Sequence, residues 1–281
     1  MNKRYEYAYL VNEILSYVDW TCEKLIEELG EARATFYRNR KEPWKASEKS
    51  LRRLRALHDS LNRECSPFAA WVHDQLLAID QAVPGGRPAL DAYLSMNLNM
   101  LIRLEEITPA GSIESMSARY VLGYALFYKF LRVDAQDRAS GERALQLLRE
   151  VYDWFQGNPK VGSPYLRARL AMRMAAARFN LSERLIAKDP NERARVAEFL
   201  RDIDFLSVVR WINERLPKDV IPPYNGILAA AVLGDVASIK EFYAMLVQAD
   251  ADFRDKGCVS HGTDGLANEP IASLFIHHLF P

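Results

Sequence analysis

Cysteine is scarce in this chain: Cys22, Cys65 and Cys258 are three in 281 residues, too few and too scattered for a disulfide framework. That scarcity fits a reducing compartment. Net charge is absent as well, since Lys plus Arg matches Asp plus Glu at 37 each, so the chain as a whole presents no uniform basic field to a polyanion. No uninterrupted apolar run approaches the roughly 20 residues that span a bilayer. The opening MNKRYEYAYLVNEILSYVDW is cut by Glu6 and Glu13 where a secretion signal needs an apolar core. Missing too are successive β-branched runs alternating with polar residues, the mark of strands. These absences predict a cytoplasmic, all-α protein without membrane contact.

What is present is apolar content, 49% of residues, recurring at helical spacing. Tyr9, Leu10, Ile14 and Tyr17 share one helical face, and Leu51, Leu54, Leu57 and Leu61 share another. Ser47 is placed to cap the helix that carries those leucines, and Pro43 marks a connector before it. Ser66 and Pro67 interrupt the pattern, and VPGGRP, Val83 to Pro88, carries two glycines and two prolines that argue against a regular helix. The expected organisation is therefore a small module over 1–66, a linker or connecting helix over 67–88, and a larger helical domain over 89–281. Within that domain the spacing predicts helices at Leu90 to Ile107, Ser115 to Leu131, Gly141 to Gln156, Pro164 to Ala187, Asn191 to Arg201 and Phe205 to Arg215. The prolines of GNP, KDP and PKDVIPP between them read as helix stops. Asn225 to Phe253 reads as a further helical pair, with Ala229, Ala230, Ala231 and Gly234 small enough for close backbone approach.

YVLGYALFYKF followed by ERALQLLREVYDWFQGNP resembles a degenerate tetratricopeptide unit, with Leu122-Gly123 at the close-packing site of the first helix and Ala144, Leu148 and Val151 on the second. The resemblance implies an antiparallel helical-hairpin domain. Arg119 stands where the repeat usually has tryptophan, and the join between the helices is several residues long. Tyr120, Tyr124 and Tyr128 recur every fourth residue on one face, a stripe that serves either as core or as the lining of a ligand or partner groove.

Zero net charge hides a segregation. Residues 1–32 hold three basic against seven acidic side chains, whereas residues 33–63 hold ten basic against three acidic ones. The sign flips inside GEARATFYRNRKEPW, Gly30 to Trp44. The surrounding KLIEELGEARATFYRNRKE, Lys24 to Glu42, resembles the helix-turn-helix of bacterial DNA-binding proteins, with a Fis-type pattern of glycine at the turn and Thr-apolar-Tyr-Arg in the second helix. The resemblance makes Leu25 and Leu29 core residues of the first helix, Gly30 the turn and Phe36 the core residue of the recognition helix. Arg33, Ala34, Tyr37 and Arg38 would face DNA, with Thr35 near a phosphate. Two positions depart from the pattern: Glu31 follows the glycine where an apolar residue is usual, and Ile26 stands in place of alanine. Arg40, Lys41, Lys45, Lys49, Arg52 and Arg53 extend the basic surface toward the phosphate backbone.

Catalytic constellations are absent: no carboxylate pair, nucleophile and base, or closed metal set stands at a convincing spacing. Cys258 and His261 with His277-His278 supply ligand types for zinc, but read more simply as a packed thiol and loop and tail histidines. PGG at Pro84 to Gly86 lacks the lysine of a phosphate-binding loop. The expectation is a sequence-specific regulator that binds double-stranded DNA as a homodimer, with a helical domain that dimerises or senses a peptide, protein or small-molecule effector, and with neither cofactor nor metal. The competing expectation is a helical adaptor that binds a protein or peptide and never touches nucleic acid.

Overall fold

The computed structural model describes residues 21–65, 86–159, 164–215, 219–254 and 269–279, with shorter stretches between 6 and 15, between 71 and 82, and at 161 and 266. Every regular element among the described residues is helical, so the chain is all-α. Two compact units divide it, residues 1–167 and residues 168–281.

The first unit carries α1 (Cys22–Leu29), α2 (Arg33–Lys41), a 3-10 turn (Pro43–Lys45), α3 (Glu48–Cys65), α4 (Gly86–Ile107), α5 (Ile113–Tyr128) and α6 (Arg138–Gly157). The predicted Ser47 cap is in place, its Oγ accepting from the Ser50 amide at 3.1 Å. The break expected at Ser66 and Pro67 lies outside the described residues. VPGGRP differs from expectation in its second half, because α4 already begins at Gly86 and holds Pro88 in its first turn. A first-turn residue has no carbonyl four positions back to bond, so proline loses nothing there.

α5 is buried around most of its circumference and packs on α4 and α6. Gly123 makes that packing possible: a Cβ on it would lie 3.0 Å from Leu148 Cγ and 3.3 Å from the Ala144 carbonyl oxygen. Arg119 ties the three helices together, with Nε 3.1 Å from Glu105 of α4 and Nη1 2.7 Å from Glu150 of α6. The long join after α5 is a π-helical turn, Lys129–Val133, followed by Asp137, whose carboxylate caps α6.

α7 (Pro164–Ile186) runs through the division between the units. The second unit continues with α8 (Pro190–Asp202), α9 (Phe205–Arg215), α10 (Ile221–Leu233), α11 (Val236–Arg254) and a short α12 (Ile276–Leu279). α10 is its central helix, packed by α8, α9 and α11. Its close approach is made at Gly226, where a Cβ would meet Phe242 at 2.8 Å and Val209 at 2.9 Å. Gly234 instead ends α10 in the left-handed conformation, φ 71°. Pro159 follows the end of α6 as expected of a stop, but Pro190 of KDP and Pro222 and Pro223 of PKDVIPP act differently. Pro190, Pro222 and Pro223 stand in first turns and open their helices, for the reason that holds at Pro88, while Pro164 opens α7 at the expected position.

Candidate nucleic-acid interface

α1 starts where Thr21 Oγ1 accepts from the Lys24 amide at 3.2 Å, and it ends at Gly30, whose φ of 58° and ψ of 35° are left-handed. The Gly30 amide donates to the Glu27 carbonyl at 3.1 Å and the Glu31 amide to that of Ile26 at 3.3 Å, closing the helix end. The chain is extended at Ala32 and re-enters a helix at Arg33, so two short helices are joined by a sharp glycine turn. Leu25 and Leu29 of α1, Phe36 of α2, and Leu51 and Leu54 of α3 form one core with Tyr7, Leu10, Val11 and Ile14. Nonpolar burial of this kind, at about 25 cal/mol per Å2, is what fixes α2 against α1.

Because Phe36 and Asn39 face inward, positions 33, 34, 37 and 38 face outward, and Arg33, Ala34, Tyr37 and Arg38 are all exposed. Tyr37 packs edge-on against the Phe36 ring at 5.5 Å while remaining 39% exposed. The departure at Glu31 has a structural partner: Tyr7 donates its hydroxyl to Glu31 Oε2 at 2.7 Å. Burial, and then Glu31, push the Tyr7 phenol well above its ordinary range, so it stays a neutral donor. Ile26, the other departure, lies against the edge of the same core.

The charge reversal read in the sequence becomes a contact. Glu23, in the first turn of α1, accepts from Arg33 Nη2 at 3.2 Å and from the Tyr37 hydroxyl at 3.1 Å, both on Oε1. Its own backbone amide, then the Tyr37 hydroxyl and the Arg33 charge, hold the Glu23 carboxyl below its usual range. Nothing in the helix-turn-helix pattern singles out this glutamate. The signal available in the sequence was the acidic α1 preceding the basic α2 across one turn.

The remaining basic residues fall into two groups. Arg38, Lys41, Lys49 and Arg52 are exposed and make no ion pair among the described residues. The others are engaged internally. Arg40 Nη1 donates to Cys22 Sγ at 3.0 Å, Lys45 pairs with Glu42 at 3.0 Å, and Arg53 Nη1 donates to the carbonyls of Leu29 at 3.3 Å and Gly30 at 3.2 Å. Arg53 thus serves the C-terminal end of α1, where carbonyls lack intrahelical partners. Thr35 is half-buried.

The tyrosine stripe is core. Tyr120 and Tyr124 are 0% exposed and Tyr128 7%, and the Tyr120 hydroxyl donates to the Leu166 carbonyl at 3.2 Å. Of the two readings of Tyr120, Tyr124 and Tyr128, core and open groove, the groove is corrected and the core stands: the helix face that carries them is sealed by its neighbours. A separate cavity of about 310 Å3 is lined by Trp71, Leu104, Thr108, Ile113, Glu114 and Ser117. The Thr108 and Ser117 hydroxyls both donate to carbonyls one turn back, at 2.8 and 2.7 Å, which leaves the wall largely apolar. Cys258 and His261 lie outside the described residues, and no metal-binding group of three side chains occurs among those described. No helix among the described residues is long and apolar enough to cross a membrane. Comparison of the chain with family models, with curated proteins and with solved structures returns no match.

Proposed function

We propose that this protein is a sequence-specific DNA-binding regulator whose α2 enters the major groove. The observation that carries the reading is the outward face of α2: Arg33, Ala34, Tyr37 and Arg38 are all exposed while Phe36 anchors the helix to α1. A nine-residue helix presented this way by a second helix and a glycine turn is the shape that major-groove readers use. Arginine forks on it can reach guanine edges or phosphates. Arg38, Lys41, Lys49 and Arg52 supply the phosphate contacts, because their charge is not spent on carboxylates among the described residues.

One such module offers few specific contacts, so the reading includes pairing of two copies on a palindromic site. The apolar cavity beside Trp71 is the place we assign to a small apolar effector. The adaptor reading loses the exposed aromatic groove on which it depended, since the three tyrosines are buried.

The test is a fluorescence-anisotropy titration of the purified chain with a random duplex pool at low and moderate salt, followed by sequencing of the retained fraction. The expected result is retention of an enriched palindromic sequence, with binding that weakens steeply as salt rises. Engagement of about four phosphates gives a slope of log K against log salt near −4. Absence of retention at low salt would put the adaptor reading in its place.

A further inference from the structure

We infer that Glu23 is the residue that makes α2 selective for a G·C base pair, acting through Arg33; the inference rests on the DNA-binding reading above. Arg33 stands at the first position of α2 and Tyr37 one turn later on the same face. Their polar tips meet on a single carboxylate oxygen, Glu23 Oε1, at 3.2 and 3.1 Å. The Arg33 guanidinium also lies 5.9 Å from the centre of the Tyr37 ring, and that ring is braced against buried Phe36. Three side chains from two helices thus form one cluster at the outer face of the module.

Two consequences follow from the chemistry of the cluster. An arginine held beside a carboxylate is close to neutral as a pair, so its attraction for a phosphate is weak. It still owns planar N–H donors that the carboxylate does not use, and these suit a neutral acceptor edge such as guanine O6 and N7. Glu23 therefore directs Arg33 away from backbone binding and toward base reading, and it reduces the rotamer freedom that a lone arginine would have to surrender on the DNA. The carboxylate itself also opposes close approach of phosphates in any misdocked complex, which weakens non-specific binding more than specific binding. Glu23 is a positioning residue in this scheme and Arg33 the reader. Arg38, unpaired among the described residues, retains the full charge for the backbone.

The test uses the full chain and the duplex recovered from the random pool. Arg33→Ala first identifies the base pair whose preference depends on Arg33, by titration against duplexes changed one pair at a time. Glu23→Ala and Glu23→Gln are then titrated against the same duplexes and against random DNA, with circular dichroism confirming that each variant is folded. Glu23 is exposed, so both substitutions leave the core intact. The expected result is that Glu23→Ala binds random DNA a few-fold more tightly while its preference at the Arg33-dependent pair falls about tenfold. Glu23→Gln, which keeps an acceptor oxygen but not the charge, gives the tighter random binding with part of the preference retained. If both variants tighten binding to every duplex by one common factor, with the preference at that pair intact, the role assigned to Glu23 is overturned while DNA binding stands. If the unaltered chain retains no duplex at all, both readings fall together.

Discussion

The guanidinium of Arg55 grips the carboxylate of Glu6 across 49 positions of sequence, with Nε 2.5 Å from Oε1 and Nη2 2.8 Å from Oε2. Glu6 is only 3% exposed, so this two-pronged pair fixes α3 to the helical residues near the start of the chain. Removing the arginine leaves a buried carboxylate without its principal partner. Arg55→Ala is expected to destabilise the N-terminal module by about 2 to 3 kcal/mol, toward the low end for buried pairs because Arg55 itself is 36% exposed. Thermal and denaturant unfolding of the full chain measure this. Arg52→Ala, three residues earlier and exposed, should leave the midpoint unchanged.

Gly123 and Leu148 make the corresponding contact between α5 and α6, and there is no room between them. A Cβ on Gly123 would already lie 3.0 and 3.1 Å from two Leu148 carbons, and Leu148 is fully buried. Gly123→Val adds two further carbons at that point and should cost about 1 to 3 kcal/mol through overpacking. Leu148→Ala alone leaves a cavity and should cost about 2 to 5 kcal/mol. The double variant is expected to lose less than the two separate losses added together, because valine fills part of the space that leucine vacates. Additive losses in denaturant unfolding would show that the two residues are not in contact.

The parts of this fold that were legible in sequence are those written in local pattern. Spacing and residue type suffice to bound Phe205 to Arg215 and to locate the Ser47 cap, while the Gly30 turn follows from the helix-turn-helix resemblance and the close-packing position of Gly123 from the tetratricopeptide one. Pro190, Pro222 and Pro223 differ from the expected stops because sequence alone does not say on which side of a break a helix lies. A proline in a first turn and a proline after a last turn are written with the same letters. The candidate interface divided along the same line. Phe36 inside with Arg33, Tyr37 and Arg38 outside is what the helix-turn-helix resemblance implies, whereas Glu23 on Arg33, Arg53 on the end of α1, and Arg55 on Glu6 depend on where separate helices meet. Counting basic residues between 33 and 63 therefore overstated the number free to meet a polyanion.

The junction between α5 and α6 carries a pH signature. Lys129 Nζ lies 2.7 Å from Asp137 Oδ2, and Ser140 donates to the same carboxylate from its hydroxyl at 2.6 Å and from its amide at 3.0 Å. Lys129 first, and then Ser140, hold the Asp137 carboxyl down at about 2, against an ordinary value of 3.8. A carboxyl depressed on folding contributes stability that is present above 3.8 and is lost as pH falls from there through about 2. Asp137→Asn keeps a capping oxygen but abolishes the charge, so it should cost about 1 kcal/mol near neutrality. Denaturant midpoints of the two proteins are expected to converge as pH drops through that window. A gap that stayed constant down the acid limb would assign the cost to packing instead of charge.

Arg52 and Arg53 are neighbours in sequence with different expected roles on DNA. Arg53 Nη1 is held by the carbonyls of Leu29 and Gly30, so its substitution removes a cap from the helix end that sets the turn before α2. Arg53→Ala should lower stability by about 1 kcal/mol, as loss of a charged hydrogen bond to backbone carbonyls does. Arg52 and Lys49 have no such anchor among the described residues, and their charge is available to phosphate. Each of Arg52→Ala and Lys49→Ala should weaken binding to every duplex alike and reduce the steepness of log K against log salt by about 0.9, leaving base preference intact. Arg38→Ala distinguishes the two surfaces of the module in the same assay. The expected result is a shallower salt slope with preference retained, in keeping with the backbone role given to Arg38; a lost preference at one base pair would overturn that role and place Arg38 on the bases beside Arg33. If none of Arg38, Lys49 and Arg52 alters either quantity in a protein that does bind duplex DNA, then the face of α2 docked on DNA is not the one opposite Phe36, and the orientation proposed for the module is wrong.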